Sequence, residues 1–368
     1  MEEIPFIENK LKKREITFKM ATSQIIELGN QLMIEKTLIE GRKYHTIEHP
    51  ETLIKRAEKF FSVLNLPERE QIIIKIAFSQ HDTIINRSLP DPYNIIGTII
   101  RNRGAYQGDF PGGKEGNEAI SAREMEAKMK QVNNEAIFPV FSQAEIKESV
   151  VMVKCTYPAV KPETIFKEYS FYSEIIKQNP NIKKIIERLE SEEEIKRGLL
   201  FFQPHIENLL EQGKEIPMGA FVVILGDLGG AGLAGHEEFA REGDLEFQEL
   251  YVNISNPDNL RRLIEGDSGE DESDRKKVVG AMIGWLKMQT GFVVLQMLRV
   301  EKIIFLMKKN RQINETQQNQ LRLIFDRFES NIIGTLERAK DIEKEYNARK
   351  SQVGSKEAFR YIAQAMHY

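Results

Sequence analysis

The chain has 368 residues, of which 41% are hydrophobic and 29% charged, so it can bury one large core or two ordinary ones. Its net charge of −4 excludes a general attraction to nucleic acid or to an anionic membrane. The single cysteine excludes an intramolecular disulfide. We expect a soluble cytoplasmic protein, because the acidic and then lysine-rich N-terminus has no apolar segment typical of a secretory signal.

Residues 66–82 predict a buried helix. The proline and the acids at 67–70 suit a first turn, and residues 72–78 are almost wholly apolar. The helix would end at the doublet formed by His81 and Asp82. A buried helix that carries polar groups at its end is a rigid support for a metal ligand, because packing fixes its backbone.

The middle of the chain alternates loops with helical segments. Residues 91–113 are rich in glycine and proline and predict a long loop, after which helix resumes near Asn117. The segment from Lys161 to Glu215 is expected to be a helical insertion. The apolar run at 221–225 fits either a strand or a buried helix, because a run of this length has no informative period.

The C-terminal part predicts long helices. An acidic surface loop is expected at 266–272, with Ser273 as the cap of the next helix. Residues 278–300 are apolar, but Lys287 interrupts them, so they predict a buried core helix rather than a membrane span. The charged residues 337–350 predict a last helix followed by a short tail.

Three of the six histidines lie in one short N-terminal stretch. His45 and His49 belong to the segment YHTIEH at 44–49, and His81 follows with Asp82 beside it. Neutral imidazoles and carboxylates together suit divalent metals of intermediate hardness. The clustering therefore predicts a site for one or two divalent ions, and Mn, Fe, Co, Zn and Mg all remain open.

Such a site needs a further ligand from elsewhere in the chain. Asp227 follows an apolar run, where a lone acid is costly to bury unless it is paired or binds a cation. Glu215 and Glu237 are the alternatives. The remaining three histidines are expected to lie outside the metal site: His205, His236 and His367.

Four short motifs follow one another along the chain. They are YHTIEH at 44–49, HD at 81–82, NEAISA at 117–122 and DLG at 227–229. Their order resembles the HD superfamily of metal-dependent phosphohydrolases, in members that carry YHNxxH, HD, NExxSA and a late D-L-x-x-L-G-like segment. The likeness covers about residues 25–330, and Thr46 stands where the family has asparagine.

The resemblance implies an all-α, HD-domain-like helical bundle with the helical insertion and a C-terminal helical extension. It further implies that four residues hold the metal: His49, His81, Asp82 and Asp227. Asp82, with two carboxylate oxygens, could bridge a second ion. Pro50 directly follows one of these ligands, and this is compatible with a helix that begins at His49, since proline suits a first turn.

The resemblance also implies two catalytic residues. His45 matches the first histidine of YHNxxH, which protonates the leaving oxygen in the related cyclic-nucleotide phosphodiesterases. Glu118 would lie near the metal-bound water as a base or hydrogen-bond acceptor. A cation can lower the pKa of its water to about 7, and an unperturbed histidine with a pKa of about 6.5 can donate a proton near neutral pH.

The implied function is hydrolysis of a phosphate ester, with a nucleotide as the expected small substrate. Arg42, beside the first histidine, and Lys114, in the glycine-rich loop, are candidates to hold a substrate phosphate. No membrane partner and no strong nucleic-acid signal are evident, and the oligomeric state stays open.

Three alternatives compete with hydrolysis. An HD-fold protein could act as a non-catalytic sensor of a nucleotide or metal, or as a di-iron oxygenase. The sequence GAGLAG at 230–235 also fits the GxGxxG pattern of dinucleotide-binding proteins, although its glycines begin several residues too late after the apolar run at 221–225.

The motifs divide the chain into three expected parts. Residues 1–24 would form an N-terminal helical extension, and residues 25–330 the HD-type hydrolase domain, with its insertion at about 161–215. Residues 331–368 would form the C-terminal helix and tail.

Overall fold

The computed structural model describes residues 15–83, 117–154, 210–227, 230–250 and 256–366. Throughout these ranges the elements of regular structure are α-helices, which confirms the predicted all-α class. The insertion predicted at about 161–215 lies almost wholly outside the described residues, and so does the loop predicted at 91–113.

The helices of the N-terminal half are short to medium in length. They are α1 (Phe18–Glu40), α2 (Glu48–Val63), α3 (Glu68–Gln80), α4 (Asn117–Glu135) and α5 (Gln143–Lys154).

The helices of the C-terminal half include the two longest. They are α6 (Met218–Asp227), α7 (Gly230–Leu233), α8 (His236–Leu250), α9 (Pro257–Glu265), α10 (Gly269–Lys309), α11 (Glu315–Arg322), α12 (Phe325–Val353) and α13 (Ser355–Ala365).

Helix α3 forms where the sequence predicts it. Pro67 is its N-cap, acids occupy the first turn, and the residues from Ile73 to Gln80 are buried apart from Lys75. Its C-cap is His81, so the HD doublet directly follows the last helical turn. The packed helix therefore fixes the backbone from which both side chains of the doublet extend.

Helix α6 resolves the ambiguity of the apolar run at 221–225. The run is helical and fully buried, and the helix packs against α2, α3 and α5 before it ends at Asp227. The glycine-rich segment that follows contains the short helix α7, and no preceding strand is present in the described ranges. The geometry of a dinucleotide-binding βαβ unit is therefore missing from this part of the chain.

The buried apolar residues form two clusters. The first core joins α1 to α6 with α7, α11, the C-terminal half of α10, the N-terminal part of α12 and one residue of α8, Phe239. The second core joins residues of α8 and α9 with the N-terminal half of α10 and with α12 and α13. Helix α10, which is 41 residues long, and helix α12 both pass through the two cores and link them.

The start of α10 differs from the prediction. Ser268, and not Ser273, is the N-cap, and it forms a capping box with Asp271, so the predicted acidic loop supplies the first helical turn. Carboxylates are favourable there because they face the unpaired N–H groups of the helix terminus. Residues 278–300 form the expected core helix, and none of the described helices combines the length and apolar character that crossing a bilayer requires.

The C-terminal residues form more structure than a helix with a short tail. Helix α12 begins at Phe325, so the expected boundary at 330/331 falls within it, and the boundary at 24/25 falls within α1. The predicted tail contains the amphipathic helix α13, which buries Phe359 and Ile362 in the second core. The short-tail prediction is wrong because the apolar residues of this segment recur at helical spacing and have a core to cover.

One close contact positions the end of α6. A Cβ atom added at Gly226 would lie 2.5 Å from Cζ of the buried Phe78 ring on α3. We predict that Gly226→Ala destabilises the protein by about 1–3 kcal/mol, because an inflexible ring must move, and that it displaces Asp227. Denaturant unfolding and metal content measured on the same preparation test this.

Gly280 is the matched control, since it is an exposed helical glycine and an added Cβ there would have no atom of the described residues within 4 Å. Gly280→Ala should stabilise the protein by about 0.5–1 kcal/mol. Equal effects of the two substitutions would contradict the assigned contact.

Candidate metal centre

The N-terminal core brings the ends of three helices to one point. His49 lies in the first turn of α2, His81 and Asp82 directly follow α3, and Asp227 is the last residue of α6. His49 is buried, and Pro50 lies with it in the first turn of α2, as expected of a helix that begins near His49. These three helices pack against one another, so the ligand positions are fixed by the core itself.

The four predicted ligands come together. Asp82 Oδ2 lies 2.9 Å from His81 Nε2 and 3.3 Å from His49 Nε2. Asp227 Oδ1 lies 3.9 Å from His81 Nε2 and 4.0 Å from His49 Nε2. Ligand atoms of His49, His81 and Asp227 all lie within 4.8 Å of one another, so this group could hold a metal ion.

The hydrogen bonds of His81 define its tautomer. Its Nδ1 lies 2.7 Å from the carbonyl oxygen of Phe78, which can only accept, so Nδ1 carries a proton. In the part of the chain that the structure describes, no group forms a well-directed hydrogen bond with Nε2, although the Asp82 carboxylate is near. Because it faces a carboxylate oxygen, this buried nitrogen suits either a second proton or a metal ion, and metal-binding histidines are commonly oriented in this way.

The pKa values of the clustered side chains also indicate that this site favours positive charge. Burial opposes protonation of His81, but the carboxylates of Asp82 and Asp227 outweigh it and raise the pKa of His81 to about 9. Burial would raise the pKa of Asp82, yet the neighbouring histidines hold it well below its ordinary value. Burial lowers the pKa of His49, so this imidazole is the neutral one. The cluster thus contains ionised carboxylates that attract either a proton or a metal ion.

The alternatives to Asp227 do not reach the cluster. Glu215 and Glu237 are both exposed, and so is His236, as expected of a histidine outside the site. The side chain of Asp227 is 18% exposed and that of Asp82 is 12% exposed, whereas the two histidine ligands are more deeply buried. Of the four predicted ligands, the two acids therefore lie nearest to solvent.

His45 lies beside the cluster and is held differently. Its Nε2 is 3.8 Å from Asp82 Oδ2, whereas its Nδ1 forms a 2.6 Å hydrogen bond with Glu249 Oε1. The other oxygen of Glu249 accepts hydrogen bonds from three consecutive backbone N–H groups at residues 43–45. Glu249 therefore fixes both the ring of His45 and the loop that carries it.

Glu249 is a candidate site residue that the sequence analysis missed. It is buried, and its contacts with the loop and with His45 outweigh the effect of burial and lower its pKa, so it is ionised at neutral pH. Glu249 belongs to α8 and is 204 residues away from His45 along the chain. Only its apolar neighbours Phe247 and Leu250 could have hinted at a buried acid.

Arg42 has a different environment from the phosphate site proposed for it. It is buried, and its guanidinium donates to the backbone carbonyl oxygens of Asp82 at 3.0 Å and Thr83 at 3.4 Å, and to the carboxylate of Glu40. These bonds tie the start of the His45 loop to the end of α3. Arg42 thus supports the backbone on which Asp82 stands.

The other two candidates are placed as follows. Glu118 is buried in the first turn of α4, a helix that packs against α3, and its predicted role near a metal-bound water stays a prediction. Lys114 lies outside the described residues.

Tyr44 lines the side of the cluster next to α8. Its ring centroid lies 4.8 Å from that of His45 and 4.5 Å from that of His49. Burial, together with the carboxylates of Glu242 and Asp227, raises the pKa of Tyr44 well above its ordinary value. Its hydroxyl therefore keeps its proton at neutral pH.

Comparison of the chain with protein-family models, with curated proteins and with solved structures finds no match. The four sequence motifs and the geometry of this site are therefore the basis for assigning a function.

We predict that the purified protein binds a divalent ion and that His81→Ala and Asp82→Ala each weaken binding enough for the ion to be lost on dialysis. Removing one of four ligands and unbalancing a buried charge cluster should cost at least about tenfold to 100-fold in affinity. Elemental analysis after dialysis against a weak chelator measures the change. His236→Ala is the matched control, since this histidine is exposed, and it should retain the full metal content.

The raised pKa of His81 predicts a pH dependence for metal binding. Below about pH 9 the metal-free His81 carries the extra proton that an incoming ion must displace. Affinity should therefore rise about tenfold per pH unit between pH 7 and pH 8 and level off above the pKa. Calorimetry in two buffers of different ionisation enthalpy counts the released proton. Equal affinities at pH 7 and pH 8 would contradict this assignment.

Proposed function

We propose that this protein is a metal-dependent phosphohydrolase of the HD type that hydrolyses a phosphate ester, with a nucleotide as the substrate. The observation that carries this proposal is the convergence of His49, His81, Asp82 and Asp227, with His45 held beside them by Glu249. The match of these residues to four ordered motifs supports it further.

The donor set fits a divalent ion. Two imidazole nitrogens and two carboxylates suit Mn, Fe, Co or Zn, and Mg less well. When bound, such an ion supplies an activated water and neutralises charge on the phosphoryl oxygens. The protein holds these ligands rigidly, because each of them stands at the end of a helix packed in the first core.

His45 is the proposed proton donor. The ionised carboxylate of Glu249 accepts the Nδ1 proton, which leaves Nε2 as the nitrogen that faces the cluster. A proton donor needs a proton on this Nε2, and the Glu249 carboxylate at 2.6 Å from Nδ1 fixes the ring that would carry it. In ester hydrolysis, that Nε2 proton would pass to the oxygen of the leaving alcohol as the P–O bond breaks.

The contact between His45 and Glu249 favours hydrolysis over the two alternatives. A sensor needs a ligand site but no proton donor, and a di-iron oxygenase needs metal ligands and a redox centre. A buried histidine whose Nδ1 is fixed by its own carboxylate suits acid–base catalysis by the other ring nitrogen. Lys114 and Glu118 keep their proposed roles, as a phosphate-binding residue and as a base or acceptor near the water.

The proposal is tested with the intact chain, stripped of metal and reloaded separately with Mn, Fe, Co, Zn or Mg. We predict turnover of a member of a panel of nucleoside monophosphates, polyphosphates and cyclic phosphates. His45→Asn should lower kcat about 10²–10⁴-fold while metal content stays unchanged, because only the proton donor is lost. Asp82→Ala should lose metal and turnover together. Released phosphate and nucleotide products are quantified by chromatography.

The control and the contrary outcomes separate the alternatives. His236→Ala should match the unaltered chain, and turnover that survives Asp82→Ala would belong to a contaminant. Tight nucleotide binding without turnover, unaffected by His45→Asn, would favour a sensor. Iron-dependent oxygen consumption would favour the oxygenase, and either result would overturn the hydrolase proposal.

A further inference from the structure

We propose that Asp244 and Arg338 are positioning residues that hold Glu249 against His45 by fixing helix α8 on the C-terminal helices. The inference deepens the proposed function and rests on it, since it concerns the residue that orients the proton donor. By this inference the second hydrophobic core helps to position the site, although that core contributes none of the proposed metal ligands.

Helix α8 lies between the two cores and presents different residues to each. Glu242 and Glu249 are seven residues apart, so they share one face of the helix, which is directed to Arg56 on α2 and to His45. Asp244 lies on the opposite face, two residues from Glu242, and is fully buried. Phe247 is also fully buried and belongs to the second core.

The Asp244–Arg338 contact is a two-point clamp. Arg338 Nη1 donates to Asp244 Oδ1 at 2.9 Å and Nη2 donates to Oδ2 at 2.6 Å. Nη2 also donates to the carbonyl oxygen of Ala365 at 2.9 Å, so one guanidinium joins α8, α12 and the end of α13. Two parallel hydrogen bonds fix the direction of approach as well as the distance.

A second pair of contacts fixes the same turn of α8 against α10. Trp285 Nε1 donates to the backbone carbonyl oxygen of Gly243 at 3.0 Å. A Cβ atom at position 243 would overlap the side-chain amide of Gln289, so the glycine allows the two helices to approach closely. Residues 243 and 244 therefore form the anchored turn of α8.

The anchored turn controls the position of Glu249. Five residues of helix separate Asp244 from Glu249, which is a rise of about 7.5 Å. Glu249 is part of the same helix, so its carboxylate moves with the backbone of the anchored turn. A 2.6 Å hydrogen bond tolerates little displacement, so a small rotation or slide of α8 would separate Glu249 from His45.

The test uses full-length protein and two readouts, turnover and the NMR signal of the His45 Nδ1 proton in histidine-labelled protein. Arg338→Met should weaken or shift that signal while the His81 signals stay in place, because His81 is bonded to Phe78 and not to α8. It should also lower kcat about 10-fold to 100-fold, with KM and metal content unchanged. Arg338→Lys, which cannot form the two-point contact, should give an intermediate loss.

A double-mutant cycle with Glu249→Gln distinguishes positioning from general loosening. If Arg338 acts through Glu249, the double variant Glu249→Gln/Arg338→Met should have a kcat within about threefold of that of Glu249→Gln alone. Arg360→Met is the matched control, since Arg360 forms an exposed ion pair with Glu357 on α13 and should change neither readout.

Three results would overturn the inference: an unchanged His45 signal in Arg338→Met, equal shifts of all histidine signals, or fully additive losses of kcat. If Arg338→Met fails to fold, the pair Asp244→Asn with Arg338→Gln removes both charges together, and the same criteria apply. If the unaltered protein shows no turnover, the proposed function fails, whereas the NMR comparison still decides whether the clamp positions His45.

Discussion

The structure of the site depends on the burial of Asp82 among three imidazoles. A carboxylate removed from water is costly unless positive charge compensates it, and the largest compensation from its neighbours is the charge of the protonated His81. A divalent ion bound here would compensate the same carboxylate charge that the proton on His81 compensates. The cluster is thus stable without metal and still suited to take one, because the ion exchanges for a proton and leaves no carboxylate uncompensated.

The helices that converge here are placed by apolar packing rather than by the polar groups they carry. Helices α3 and α6 are nearly encased in the first core, and each ends where its polar residue begins. The contact between Gly226 and Phe78 determines how closely α6 approaches α3 at this point. Arg42 holds the backbone that follows α3 through its hydrogen bonds. A rigid core is what lets side chains from distant parts of the sequence meet within hydrogen-bond distances.

The sequence predicted the parts of this arrangement that are local. The apolar period and first-turn acids marked α3, and the residue types of the YHTIEH and HD motifs marked side chains that the structure brings into one cluster. It left the state of residues 221–225 open, because a five-residue buried run has the same pattern in a strand and in a helix. It missed Glu249, since pairing across 204 residues depends on tertiary packing, and it placed the α10 cap five residues late because several polar residues there could serve.

The two hydrogen bonds between Asp244 and Arg338 are better explained as fixing the orientation of α8 than as raising the free energy of unfolding. Replacing a buried ion pair by apolar residues of similar volume is often neutral or stabilising, so its presence is weak evidence of a stabilising role. Apolar contacts permit sliding and rotation, whereas two parallel hydrogen bonds specify one orientation. Helix α8 carries a residue that must meet His45 at 2.6 Å, and orientation is the property such a residue requires. In the proposed mechanism, the second core would therefore influence proton transfer by His45 without contributing a metal ligand.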